Sequence, residues 1–265
     1  MTAILVVPHR FRGPARSGNG GWTAGSLAER LGPVSRAGGG CEAVEVTLRR
    51  PPPLDTELGV ELDGRGDGGG PTADRPARAR LLHGSDTVAE AACTDRALAP
   101  LDAVDPADAE AAMTDYPGHR SHPFPECFAC GPARAPGDGL RIFPGPVPGR
   151  ADTVASLWVP HASLAESGDV VDAGVERVGV ATTWAALDCV GGWSEDLEGR
   201  PCVLGRMTAR VDALPVVGEQ HVVVGHRLRV DGRKTFTAST LYDSDGRVVA
   251  TAEHVWVAVD PSAFN

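Results

Sequence analysis

Two stretches decide how this chain is read: His122–Leu140, HPFPECFACGPARAPGDGL, and Val178–Trp193, VGVATTWAALDCVGGW. The first reads as a Cys-Gly turn leading into a strand. The second reads as an apolar helix with one acid, Asp188, at its middle. That acid is flanked by Trp184, Ala185, Leu187, Val190 and Trp193. Desolvating a carboxylate without a partner costs several kcal/mol, so such placement needs a reason. Two reasons stand open: a capped or solvent-facing acid, or an acid kept on a buried helix for catalysis.

Working outward, residues 2–12 read as an entry strand and 20–31 as a short helix, with Trp22, Leu27 and Leu31 near helical spacing. Asn19, between Gly18 and the Gly20-Gly21 pair, makes a flexible loop at its start. Residues 42–48 and 58–62 alternate as strands, and 63–76 is a Gly-rich connection. Residues 77–83 and 87–93 make a hairpin across Gly84-Ser85-Asp86. Residues 97–116, rich in Ala, Asp and Pro, read as a linker with some helix. Beyond it, 140–143 and 151–158 read as strands, followed by the apolar helix. Four more strands cover 203–213, 220–230, 234–243 and 248–259, with turns at Asp231-Gly232 and Asp245-Gly246.

Both halves therefore run in one order: entry strand, helix, four antiparallel strands. ARLLHGSDTVAEAACT in the first half parallels STLYDSDGRVVATAEHVWV in the second. The expected architecture is α+β, with units at 1–95 and 122–265 joined by a linker at 96–121.

A net charge of -10, spread along the chain, argues against a nucleic-acid partner, which requires a basic stripe. No apolar run approaches the ~20 residues of a membrane span. MTAILVVPHR lacks the basic start and apolar length of a signal peptide. The six cysteines, at 41, 93, 127, 130, 189 and 202, read as thiols in a reducing cytoplasm.

The Cys127–Gly131 turn with Gly139-Leu140 resembles the C-F-x-C-G…G-L segment of PaaI-like acyl-CoA thioesterases, and Ala181–Gly192 resembles their central helix. The resemblance implies a hotdog fold, here a double hotdog of two antiparallel sheets, each wrapping a central helix. In that family a His-Gly-Gly or Asn-Gly-Gly loop at the helix start polarises the thioester carbonyl through backbone N–H groups. An acid about nine residues on attacks it or activates water, and loop and acid come from opposite subunits. Here the parts are divided between the halves. Asn19-Gly20-Gly21 keeps the loop, but Ala28 stands nine residues on, with Glu29 beside it. Asp188 keeps the acid, but Gly179-Val180-Ala181 precedes it.

The resemblance thus implies one composite site with Asp188, Asn19, Gly20 and Gly21 as catalytic residues. Trp22, Trp184, Arg206 and Thr208 are the substrate-binding candidates. For Trp184 a core role is the plain alternative, and for Arg206 a solvated strand face. The implied function is hydrolysis of an acyl-CoA or similar thioester without a cofactor. The alternative is a non-catalytic acyl-ligand binder. A hydratase is disfavoured because neither helix contains a histidine. Self-association is left open. His119, His122, Cys127 and Cys130 have a spacing compatible with zinc. The expectation is nevertheless a structural turn that binds no metal.

Overall fold

The computed structural model describes residues 3–32, 41–63, 77–166, 174–260 and 262. The Gly-rich connection read at 63–76 lies, beyond Asp63, outside the described residues. Among the described residues eleven strands form one sheet: β1 (Ala3–Leu5), β2 (Ala43–Leu48), β3 (Leu58–Asp63), β4 (Arg78–His83), β5 (Asp86–Thr94), β6 (Gly145–Pro146), β7 (Thr153–Trp158), β8 (Cys202–Val211), β9 (His221–Asp231), β10 (Lys234–Tyr242) and β11 (Val248–Ala258). The helices are α1 (Gly20–Ala28), α2 (Pro106–Thr114) and α3 (Val180–Trp193). None of the described helices is long and apolar enough to cross a membrane.

The spatial order is β1-β3-β4-β5-β2-β8-β11-β10-β9-β7-β6. Read towards the middle, the first half runs β1-β3-β4-β5-β2 and the second, inside the two-residue edge strand β6, runs β7-β9-β10-β11-β8. These are the same order of entry strand, third, fourth, fifth and second. The expectation of two separate sheets needs correction. β2 and β8 pair antiparallel through Val44↔Ala209, Glu45↔Thr208, Val46↔Met207 and Thr47↔Arg206. Each would otherwise be an edge with unpaired N–H and C=O groups, and pairing satisfies both.

Period-2 alternation fixes what this seam faces. Val44, Val46, Met207 and Ala209 are fully buried beneath the helices. Their neighbours Glu45, Thr47, Arg206 and Thr208 point to the opposite face and join there through Arg206–Thr47 and Thr208–Glu45 hydrogen bonds. α1 packs on α3 and on β2, β5 and β8, while α3 packs on β8 to β11. α3 is therefore covered on all sides, and every residue from Ala181 to Trp193 is buried.

Two further readings need correction. Residues 140–143 form no strand, because Arg141 sits at φ 56, outside the extended region. The segment instead runs beside the Cys127 turn, with Leu140 N–H on Phe128 O and Ile142 N–H on Ala129 O. Nor are all six cysteines thiols. Cys41, just ahead of β2, is disulfide-bonded to Cys93 on the adjacent β5, and the other four are free and buried.

Candidate active site

α1 begins where Asn19 leaves the extended region and caps it, its Oδ1 accepting the Trp22 N–H at 2.8 Å. The Asn19 carbonyl takes the Thr23 N–H at 3.0 Å. The Gly21 N–H donates across the helix interface to Asp188 Oδ2 at 2.8 Å, 167 positions away in sequence. Only glycine permits this approach, since a Cβ at position 21 would lie 2.5 Å from the Asp188 Cβ and 2.8 Å from the Trp184 carbonyl. Of the first α1 donors, only the Gly20 N–H has no acceptor among the described residues.

Asp188 is 2% exposed, and its Oδ1 is buried without a hydrogen-bond partner. Burial pushes its carboxyl up to about 7, and negative charge on Cys127 adds to the rise. The Gly21 N–H and the neighbouring Asn19 amide counter it. A carboxyl so placed is poised for proton transfer near neutrality.

Asp188 opens on a cavity of about 240 Å³, which Asn19, Gly20, Leu204, Gly205, Phe124 and Trp256 also line. Gly205 is the extra residue of a β-bulge, where the register passes from Val255↔Arg206 to Trp256↔Leu204. Arg49 and Arg50, at the end of β2, also line the cavity. They are exposed and ion-paired with Glu90 and Asp86.

The structure thus brings Asn19, Gly20, Gly21 and Asp188 together. None of the four binding candidates lines the cavity beside Asp188. Trp22 stacks on Phe11, with ring centroids 4.2 Å apart. Trp184 is buried against Gly25 and lines a different cavity, of about 360 Å³, with Ala28, Glu29 and Val180. Arg206 and Thr208 lie on the far face of the sheet. Asn19 itself sits between the helix start and two sulfurs. Its oxygen is committed to the helix cap, and its Nδ2 faces Cys127 Sγ at 3.8 Å and Cys189 Sγ at 4.0 Å.

Those two sulfurs are 3.6 Å apart, and with Cys130 they form a trio whose Sγ atoms all lie within 4.8 Å of one another. Cys189 was absent from the sequence reading of this cluster. The only local signal for it is its place beside Asp188 on the apolar helix. Hydrogen bonds from Cys130 and then Cys189 hold Cys127 well below the usual thiol range, while burial pushes Cys130 well above it.

No family model and no curated protein matches the sequence. Solved structures do match. A protein of unknown function with a hot dog fold from Alicyclobacillus acidocaldarius superposes with a TM-score of 0.53, at 13% identity, over 97% of this chain and 93% of the other. The fold is a hotdog. A candidate thioesterase from Novosphingobium aromaticivorans matches with a TM-score of 0.62, at 13% identity, over 97% and 95% of the two chains. The tesB protein of Mycobacterium avium subspecies paratuberculosis matches at 0.53 and 13%, over 93% and 89%. At such identities the likeness speaks for the hotdog fold alone.

Proposed function

We propose that this hotdog chain hydrolyses a thioester of the acyl-CoA kind in the cavity between α1 and α3. The observation that carries the reading is the Gly21–Asp188 contact at 2.8 Å, with the second carboxylate oxygen buried and unpartnered on a residue that lines the cavity. A fixed orientation with one oxygen unengaged suits a general base. In this reading Asp188 Oδ1 takes a proton from water as the water oxygen adds to the thioester carbonyl. The new oxyanion is stabilised by the Gly20 N–H at the positive end of α1. Collapse breaks the C–S bond, and the thiolate leaves with the proton returned from Asp188. Arg49 and Arg50 at the cavity supply the positive charge to meet a phosphorylated thiol carrier.

The matching strand order supports two related hotdog units at 1–95 and 122–265, joined by 96–121, with one site made from both. One observation favours the second reading, a non-catalytic acyl-ligand binder: Gly21 already donates to Asp188, leaving one helix-start donor for an oxyanion. The experiment is thiol release from short, long and aromatic acyl-CoAs by the wild type and Asp188→Asn. Hydrolysis predicts a loss of ~10²–10⁴ in turnover with ligand affinity retained. Wild-type binding without turnover on any ester selects the binder, and undiminished turnover in Asp188→Asn refutes the assigned base.

A further inference from the structure

The proposed reaction makes no use of the three sulfurs beside Asp188. Cys127 and Cys130 come from one turn and Cys189 from α3. The turn is tight: Cys127 N–H bonds to Phe124 O, and Gly131 N–H bonds to Cys127 O at 2.9 Å. A Cβ at Gly131 would lie 2.5 Å from the Cys127 carbonyl oxygen, so the C-x-x-C-G stretch wraps as it does only with glycine there. The wrap presents both sulfurs to the helix that carries the third.

Three N–H donors face the trio, alongside the Asp188 carboxyl and the Tyr116 hydroxyl, which donates to the Cys130 carbonyl at 2.9 Å. Asn19 Nδ2 faces Cys127 and Cys189. His122 Nδ1 accepts the Phe124 N–H at 2.9 Å, so the ring proton is on Nε2, 3.3 Å from Cys130 Sγ. The Trp193 indole N–H, buried without a partner in hydrogen-bond range, borders Cys130. Neutral buried thiols are weak acceptors and require no such surroundings. Thiolates do, because each carries a full charge out of water.

We propose that Cys127, Cys130 and Cys189 bind one thiophilic divalent metal ion, zinc, through three thiolates. The sulfurs of tetrahedral zinc, at Zn–S about 2.3 Å, stand about 3.8 Å apart. The Cys127–Cys189 separation of 3.6 Å is close to that value, and all three Sγ atoms already lie within 4.8 Å of one another. The thiols release their protons to solvent as the metal enters, and no oxidation state changes. His122 and Asn19 act from outside the coordination shell, donating to ligating sulfurs. The fourth position falls to water from the cavity, which Cys127 and Cys189 both line. This reverses the expectation of a metal-free turn. It does not rest on the thioester reading, because its readouts are metal content and spectra.

The test uses the full chain, purified without chelator, with metal content measured per chain. Metal-free protein is then titrated with cobalt(II), whose thiolate charge-transfer absorption grows with the number of sulfurs bound. The expected result is one zinc per chain and a cobalt spectrum of three thiolates in tetrahedral geometry. Cys189→Ser should lower the charge-transfer intensity by about a third, the share of one ligand in three. Cys202→Ser, a free cysteine outside the trio, should leave it unchanged. His122→Ala should weaken metal binding ~10–100-fold with the three-thiolate spectrum intact, so the proposal remains testable if a cysteine variant does not fold. Failure of the wild type to retain zinc or bind cobalt overturns the proposal. So does a disulfide within the trio in protein prepared under reducing conditions, or a cobalt spectrum unaltered by Cys189→Ser.

Discussion

Replacing Gly21 with alanine sets a methyl group where α1 and α3 come closest. The new carbon would stand 2.5 Å from the Asp188 Cβ and 2.8 Å from the Trp184 carbonyl oxygen. Ordinary carbon–carbon contact begins near 3.5 Å, so the helices must part by about 1 Å. That stretches the 2.8 Å Gly21–Asp188 bond to nearly 3.8 Å, past hydrogen-bond range. Overpacking costs ~1–3 kcal/mol, and loss of a hydrogen bond to a carboxylate ~1.5–3 kcal/mol. Helix propensity returns at most ~1 kcal/mol. The net loss is about 2–5 kcal/mol, a fall of roughly 4–9 °C in Tm at this chain length. Urea unfolding supplies the number, and two comparisons apportion it. In an Asp188→Ala background, Gly21→Ala should cost only the overpacking share. Gly25→Ala, whose methyl would meet Ala181 Cα and Trp184 Cβ at 2.8 Å each, should likewise show packing loss alone. If Gly21→Ala unfolds within about 0.5 kcal/mol of the wild type, the helix contact is not as described, and the site built on it fails.

His254 is buried with its Nε2 unpartnered, and burial pushes its pKa down to about 4, with Thr237 and the Leu187 backbone opposing. The unfolded chain, titrating near 6.5, binds more protons between these values. Stability is therefore complete above pH ~6.5 and declines by about 2–3 kcal/mol as the pH falls towards 4. His254→Gln should lack this share of the decline in urea titrations at pH 7 and 4.5, and equal declines in both proteins would refute it. The buried Arg134 guanidinium bonds Glu126 O at 2.8 Å, Asp138 Oδ2 at 2.8 Å and Arg10 O at 2.7 Å, tying the Cys127 turn to the first half. Arg134→Met should cost ~3 kcal/mol by chemical unfolding, and a loss near zero would show that these bonds are replaced by water.

The elements that the sequence makes legible are those with strong local periodicity. The helix at 178–193 appears at 180–193, and the four closing strands appear within two residues of their expected ends. Local pattern is blind to pairing between distant edges, so it predicts two sheets where the β2–β8 seam makes one. It is also blind to a single left-handed residue, and Arg141 dissolves the strand expected around it. Within the site, the divided motif was sufficient to join Gly21 to Asp188. It was insufficient for Arg206 and Thr208. Their alternation is plain, but which face it turns to the helices depends on Met207 and Ala209 being the pair in the apolar core. Cys189 escaped for a related reason. Metal spacings are read along one segment, whereas its partners lie on another.

The seam also sets an order on biosynthesis. β2 ends at Leu48 and its partner β8 begins at Cys202, about 150 residues later. At ~5–20 residues per second the ribosome needs roughly 8–30 s to deliver that partner. Throughout that interval AVEVTL, from Ala43 to Leu48, is an apolar ribbon with one side of its backbone unmatched. Glu45 is the only charge within it, and it alone discourages a neighbouring nascent chain from docking there. Yield during expression should therefore respond to Glu45 and to elongation rate more than to most changes in the finished core.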